Sequence, residues 1–203
     1  MIGIYDYTVV LTYTGLLCAL GGIFRATEGA FYSALFLIGI TLFCDMMDGR
    51  VARAKKNRTR QEVLFGMQID SLCDMVSFGV FPSVLFYNMG MQDALGLVVI
   101  GYYCLCCVIR LGYFNVLELE RDPDTKSVFR GLPSPTLAMF LPVVYLLRLW
   151  VSEPAFLWIL RILMPTMGTL YILNFKLSKP KGWMLLVMSA VFAALLVAIY
   201  LCS

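Results

Sequence analysis

Residues 44–79 read CDMMDGRVARAKKNRTRQEVLFGMQIDSLCDMVSFG, a polar stretch with four aspartates in a chain that is otherwise strongly apolar. Of the 203 residues, 61% are hydrophobic and only 14% are charged. The mean hydropathy is +0.83. Values of this size lie outside the usual range of soluble proteins and indicate an integral membrane protein.

Apolar windows of about 20 residues, the length that crosses a bilayer as a helix, predict roughly seven transmembrane helices, with six or eight as alternatives. The predicted helices lie near residues 5–24, 29–54, 62–88, 93–119, 133–150, 155–174 and 183–202. No basic region precedes the first apolar run, so we expect a retained helix and not a cleaved signal peptide. The expected fold is an all-α transmembrane bundle that forms a single domain over residues 1–203.

Lysine and arginine are concentrated in alternate loops of the predicted bundle. Segments 50–62, 118–131 and 174–182 contain six, three and three of them. Because cytoplasmic loops retain positive charge, we expect this side, with the polar stretch, to face the cytoplasm from the cell membrane. A basic band of this kind sets topology and contacts anionic lipids, and it gives no support to nucleic-acid binding.

The four aspartates form two pairs with helical spacing. Asp45 and Asp48 are three residues apart, and Asp70 and Asp74 are four apart, so each pair shares one face of its helix. A short turn between the two helices would bring these faces together. Each carboxylate would cost about 2.5–3.5 kcal/mol at the bilayer centre, and the four would repel one another. Bound Mg²⁺, Mn²⁺ or Ca²⁺ would offset both costs, which predicts a site for one or two divalent ions.

Small residues lie beside the aspartates on the same helix faces. Gly49, Ala52 and Gly66 leave room for a ligand to approach the backbone. Arg53 lies eight residues after Asp45, where its guanidinium could hold phosphate oxygens. The chain contains no histidine, so acid and base chemistry would fall to carboxylates.

These positions resemble the signature of a known family, the CDP-alcohol phosphotransferases. Residues 45–53 follow the pattern D-x-x-D-G-x-x-A-R, and residues 66–74 follow G-x-x-x-D-x-x-x-D, so all eight fixed positions match. The twelve residues between the two parts exceed the usual family spacing and include the basic insert AKKNRTRQEV. The segments IDSLCDMVSFGVFPS, RLGYFN and FRGLPSPTLA resemble those that mark the phosphatidylserine synthases, a branch of this family.

The resemblance implies a metal-dependent phosphatidyltransferase that acts on two substrates in the membrane. The hydroxyl of L-serine would attack the lipid-side phosphorus of a CDP-activated lipid, either CDP-diacylglycerol or an archaeal equivalent. CMP would leave, and phosphatidylserine would form. The same resemblance implies a homodimer in contact with membrane lipids and one or two Mg²⁺ or Mn²⁺ ions, with Ca²⁺ as a possible occupant.

The resemblance also assigns roles to individual residues. The expected metal ligands are Asp45, Asp48, Asp70 and Asp74, and Asp74 is the alternative candidate for the catalytic base. The residues expected to bind the CDP-lipid are Asp48, Gly49, Ala52, Arg53 and Gly66. The serine-binding residues are expected from the chemistry of serine itself. Its carboxylate requires a cation, for which Arg110 and Arg130 are the candidates, and Ser77 and Asn115 could bond its ammonium or hydroxyl group.

Other interpretations of the acidic pattern stay open. The aspartates could lie at the membrane interface and pair with the basic residues of segment 50–56. A sibling enzyme would use glycerol phosphate or inositol phosphate as the acceptor. A divalent-cation transporter would also place carboxylates in a membrane, although such proteins tend to have matching interrupted helices in two halves. An intramembrane aspartyl protease needs only two aspartates, and no G-x-G-D run occurs.

Overall fold

The computed structural model describes residues 3–4, 6–120, 129–177 and 182–202, and this part of the chain is largely helical. The prediction of an all-α membrane bundle is confirmed. A 3₁₀ turn at Tyr7–Val9 precedes the first α-helix. The eight α-helices within the described residues are α1 Val10–Thr27, α2 Phe31–Ala54, α3 Arg60–Asp74, α4 Phe81–Asn88, α5 Ala94–Leu119, α6 Thr136–Leu147, α7 Glu153–Ile172 and α8 Gly182–Cys202.

Two features of this helical order were not predicted. Helices α3 and α4 form one continuous rod, in which a π-helical turn at Met75–Val80 separates them. Two short strands, β1 at Phe129–Arg130 and β2 at Lys176–Leu177, pair antiparallel. The strand pair links the segment before α6 to the segment before α8.

Several helices have the length and hydropathy that a membrane span requires. Within the described residues there are five: Tyr7–Thr27, Phe31–Ala54, Arg60–Asn88, Ala94–Leu119 and Glu153–Ile172. The helix predicted at 133–150 is shorter than expected, because α6 starts only after Pro135, which occupies its N-cap. Proline has no backbone N–H and is tolerated at a helix start, whereas Pro133 and Pro135 together disfavour a helix that begins earlier.

The core forms where α1 and α5 meet the rod of α3 and α4. Helix α1 packs along α2, α5 packs along α7, and both α1 and α5 contact the π turn. Gly22 of α1 lies directly against the ring of Phe81, where a Cβ atom would clash with the ring. Phe81 is fully buried there, and Phe78 of the π turn is also buried. This close packing fixes the position of α4 relative to α1.

The loop between α2 and α3 is held by charged contacts. Lys55 Nζ lies 2.9 Å from Asp6 Oδ2 and 2.9 Å from Glu62 Oε1. These contacts raise the pKa of Lys55 and lower that of Asp6. Thr59 and Glu62 form a capping box that starts α3. The start of α1, the end of α2 and the start of α3 are therefore joined on one side of the bundle.

Candidate active site

Three of the four aspartates converge between α2 and α3. Asp45 of α2 and Asp70 and Asp74 of α3 each present a carboxylate oxygen, and these oxygens all lie within 4.8 Å of one another. All three side chains are partly buried. The i, i+4 spacing on α3 turns Asp70 and Asp74 toward the same face, and packing against α2 brings Asp45 to that face.

Asp48 completes the acidic group and is tied to a third helix. It is 8% exposed, and its Oδ2 accepts a hydrogen bond of 2.8 Å from Thr12 Oγ1 on α1. Its carboxylate also comes within hydrogen-bonding range of Asp70. Thr12 was missed by sequence reasoning, because a single threonine in an apolar helix carries no signal of its partner.

The donor set fits a hard divalent cation. All four side chains offer oxygen, which is the ligand that Mg²⁺, Mn²⁺ and Ca²⁺ prefer. Among the described residues, no lysine or arginine forms an ion pair with any of the four carboxylates. That finding argues against the alternative in which basic neighbours neutralise them. The crowded negative charge therefore favours a bound cation.

The two glycines of the signature lie under arginine side chains. A Cβ atom on Gly49 would lie 3.3 Å from Arg53 Nη1, and one on Gly66 would lie 3.0 Å from Arg58 Nη2. Ala52 is partly buried on α2, and Arg53 is exposed near the end of that helix. Each glycine thus leaves a space on the surface of its helix, Gly49 on α2 and Gly66 on α3. An arginine guanidinium lies over each of these spaces.

Arg110 of α5 points into the protein and not toward the membrane surface. It is 6% exposed, and its Nε donates a hydrogen bond of 2.9 Å to the carbonyl oxygen of Leu132. Its guanidinium also lies over the ring of Phe114, 5.7 Å from the centroid. These contacts join α5 to the loop before α6, in the segment FRGLPSP that the sequence singled out.

The other residues predicted to bind serine have different surroundings. Asn115 Oδ1 accepts a hydrogen bond of 2.8 Å from Ser71 Oγ, so it lies beside the residue that follows Asp70. Ser77 is buried in the π turn. Arg130 belongs to β1, and its side chain lies outside the described part of the structure. The serine-binding roles of these residues stay predictions.

Two buried tyrosines organise the backbone around the π turn and the start of α6. Tyr103 OH donates a hydrogen bond of 2.6 Å to the carbonyl oxygen of Phe78. Tyr171 OH donates to the Ser134 carbonyl at 2.9 Å and accepts from the Leu137 N–H at 3.2 Å. These bonds were not predicted, because an aromatic residue in an apolar helix indicates packing and lipid contact and does not reveal the partner of its hydroxyl.

An apolar groove opens beside α2. It lies between α2, α6 and α8, and Met46, which follows Asp45, is one of its wall residues. Its other lining side chains include Phe36, Phe43, Met139 and Phe192. The groove therefore offers a hydrocarbon surface along the helix that carries Asp45 and Asp48.

Comparison with known families agrees with this geometry. The family model of CDP-alcohol phosphatidyltransferases matches residues 8–195, which includes all four aspartates. The chain belongs to this family. The acidic group, the two glycines and Arg53 therefore lie in the part of the chain that is shared with CDP-alcohol phosphatidyltransferases.

Several relatives carry the name CDP-diacylglycerol–serine O-phosphatidyltransferase. The protein from Saccharomyces cerevisiae is 39% identical over 120 residues, which is 57% of this chain and 42% of that protein. The protein from Helicobacter pylori strain J99 is 32% identical over 149 residues, 71% of this chain and 59% of that protein. The protein from Methanocaldococcus jannaschii is 35% identical over 142 residues, 70% and 59% respectively. The chain spans about half the length of these relatives.

Proposed function

We propose that this chain transfers the phosphatidyl group of a CDP-activated lipid to the hydroxyl of L-serine. The observation that carries the proposal is the convergence of Asp45, Asp70 and Asp74 within 4.8 Å at the junction of two membrane helices. The names of the relatives support serine as the acceptor. The products are phosphatidylserine and CMP.

The four aspartates have different roles in the proposed reaction. Asp45, Asp48 and Asp70 hold the metal, and Thr12 fixes the orientation of the Asp48 carboxylate. Bound Mg²⁺ or Mn²⁺, in our proposal two ions, would neutralise charge on the diphosphate oxygens and on the departing CMP. Asp74 either completes the ligand set or takes the proton of the serine hydroxyl.

The covalent change is a single displacement at phosphorus. A bond forms between the serine Oγ and the lipid-side phosphorus, and the bond from that phosphorus to the bridging oxygen breaks. CMP leaves with the bridging oxygen and its electron pair. The serine hydroxyl is a weak nucleophile at neutral pH, so a carboxylate within hydrogen-bonding reach accelerates its attack.

The nucleotide and the lipid tails occupy different surfaces in this proposal. Cytidine and diphosphate lie against the openings of Gly49, Ala52 and Gly66, where the absence of large side chains lets them approach the helices. Asp48 and Arg53 complete this binding surface. The lipid tails lie in the apolar groove beside Met46, since hydrocarbon chains gain free energy by leaving water for such a surface.

Serine recognition is assigned to α5 and the segment before α6. The serine carboxylate needs a cation, and Arg110 and Arg130 are the proposed partners. Asn115 lies next to Ser71 and is proposed to bind the serine ammonium or hydroxyl, with Ser77 as a further contact. The buried position of Arg110 supports this role, because an arginine in a membrane helix is costly without a partner.

We further propose a domain organisation, a membrane orientation and an oligomeric state for this chain. Residues 1–203 form one domain in the cell membrane, and the charge of segment 50–62 favours a site that opens to the cytoplasm. By analogy with the family, we propose that the chain works as a homodimer.

An acceptor assay tests the function directly. Purified protein receives CDP-diacylglycerol and Mg²⁺ or Mn²⁺, and CMP release is measured with L-serine, glycerol phosphate or inositol phosphate. We expect release only with serine and none after chelation of the metal. Release that depends on glycerol phosphate or inositol phosphate, and not on serine, would replace the acceptor assignment by that of a sibling enzyme.

A further inference from the structure

Arg58 lies in the basic insert that lengthens the loop between α2 and α3. Its Nη2 donates a hydrogen bond of 3.2 Å to the carbonyl oxygen of Glu62. The same atom lies 3.0 Å from the place where a Cβ on Gly66 would be. Arg58 therefore covers the opening on α3 as Arg53 covers that of Gly49 on α2. One of these arginines belongs to the family signature, and the other comes from the insert.

The loop around Arg58 is braced on both sides. Lys55 bridges Asp6 and Glu62 with two contacts of 2.9 Å. Thr59 then starts α3 by exchanging hydrogen bonds with Glu62. Arg58 thus lies between Lys55 and Thr59, whose contacts hold the loop in place. The ordered loop in turn positions the Arg58 guanidinium over α3.

The guanidinium of Arg58 has donors to spare. A guanidinium carries five N–H donors, and the Nε of Arg58 is buried with no hydrogen-bond partner among the described residues. The carboxylate of Glu62 does not neutralise it, because that carboxylate contacts Lys55 Nζ and the Thr59 N–H instead. A buried unpaired donor on a charged group is unfavourable, so this arrangement suits an anionic ligand.

We propose that Arg58 binds the diphosphate of the CDP-activated lipid, as a second phosphate-binding arginine beside Arg53. This inference rests on the proposed function. The guanidinium rests over Gly66 without the nucleotide and turns its Nε and Nη donors to the phosphate oxygens when the nucleotide enters. A guanidinium can donate two parallel N–H bonds to one phosphate group, whereas the ammonium of a lysine at the same position cannot.

The test is the affinity for soluble CDP, measured by calorimetry on the full chain in detergent with Mg²⁺ or Mn²⁺. Arg58→Ala should weaken CDP binding by about tenfold or more, which is the usual size of a lost charge-assisted hydrogen bond. Arg58→Lys should give an intermediate affinity. Arg60→Ala is the matched control, because it removes an exposed arginine of the same insert and should leave the affinity unchanged.

The possible results distinguish a failure of the role proposed for Arg58 from a failure of the proposed function. Equal CDP affinity in the original protein and in Arg58→Ala would overturn the role of Arg58 and leave the function standing. An equal loss in Arg60→Ala would also overturn it, since general charge would then explain the effect. If Arg58→Ala unfolds, Arg58→Lys decides, and original affinity in that variant would overturn the bidentate contact. Failure of the original protein to bind CDP with metal would contradict the proposed function itself.

Discussion

Thr12 Oγ1 donates a hydrogen bond of 2.8 Å to Oδ2 of Asp48, and this bond connects α1 to the acidic group of α2 and α3. Helix α1 carries none of the four aspartates. It nevertheless orients the carboxylate of Asp48, because the hydroxyl bonds to one of its two oxygens.

Loss of this hydrogen bond should weaken metal binding. We expect Thr12→Val, which keeps the shape of the side chain, to raise the Mg²⁺ or Mn²⁺ concentration for half-maximal CMP release by about tenfold. Thr14→Val is the control, because Thr14 is exposed and its hydroxyl bonds only to the Val10 carbonyl. An unchanged metal requirement in Thr12→Val would show that the bond does not support a metal ligand.

The role of Asp74 can be resolved by one substitution. Asp74→Asn should lower CMP release by about a hundredfold or more, the contribution of a general base, with little change in thermal unfolding. Calorimetry with Mn²⁺ then separates the two proposed roles. Unchanged Mn²⁺ affinity identifies Asp74 as the base, and weakened affinity identifies it as a ligand. A fully active variant would exclude both.

The hydrogen bond from Tyr103 to the π turn should contribute to stability. Tyr103→Phe leaves the buried carbonyl of Phe78 without its partner, which should lower the free energy of unfolding by about 1–3 kcal/mol. Tyr102→Phe is the matched control, because its hydroxyl contacts Thr169 at an exposed position. Unfolding in detergent measures both variants. If both variants lose the same unfolding free energy, the hydrogen bond from Tyr103 to the Phe78 carbonyl contributes no more to stability than the exposed contact of Tyr102.

The ion pair between Asp93 and Arg161 predicts a pH dependence on the other side of the bundle. Arg161 Nη2 lies 2.9 Å from Asp93 Oδ1 and lowers the pKa of Asp93. Because the folded pKa lies below the unfolded one, the stabilisation is present above the unfolded pKa and is lost as the pH falls through the folded pKa.

Asp93→Asn isolates this effect, since asparagine can still accept the N-cap bond from Gly96. We expect a lower thermal midpoint than that of the original protein at neutral pH. The two midpoints should approach each other as the pH falls below the usual pKa of aspartate, and they should converge below the lowered pKa of folded Asp93. A difference that does not shrink as the pH falls would mean that the ion pair is not its source.

The sequence predicted those parts of the site that depend on local spacing. Asp70 and Asp74 share a face because helical geometry requires it, and Asp45 joins them because the hairpin is short. Contacts between distant helices could not be predicted in this way. The partner of Asp48 is 36 residues away in α1, and that of Asn115 is 44 residues away in α3. Only the packing of the bundle determines such pairs.

The helix boundaries show the same limit. Hydropathy located every helix that the structure describes. It could not reveal the π turn at Met75–Val80, since the apolar residues of that segment suit either helical form. It also extended α6 too far, because the run from residue 133 to 150 is apolar although prolines occupy its start. Backbone hydrogen bonding, which hydropathy does not measure, decides both cases.

The π turn also sets the rotational phase of the rod that runs from α3 to α4. Each residue turns an α-helix by about 100°, so a turn that accommodates one extra residue rotates everything after it by about that angle. The aspartates before the turn can therefore face the proposed metal site while Phe81 after it faces Gly22. Deleting one residue from this turn would rotate α4 relative to α3. The aspartates and Phe81 could then no longer both keep their present orientations.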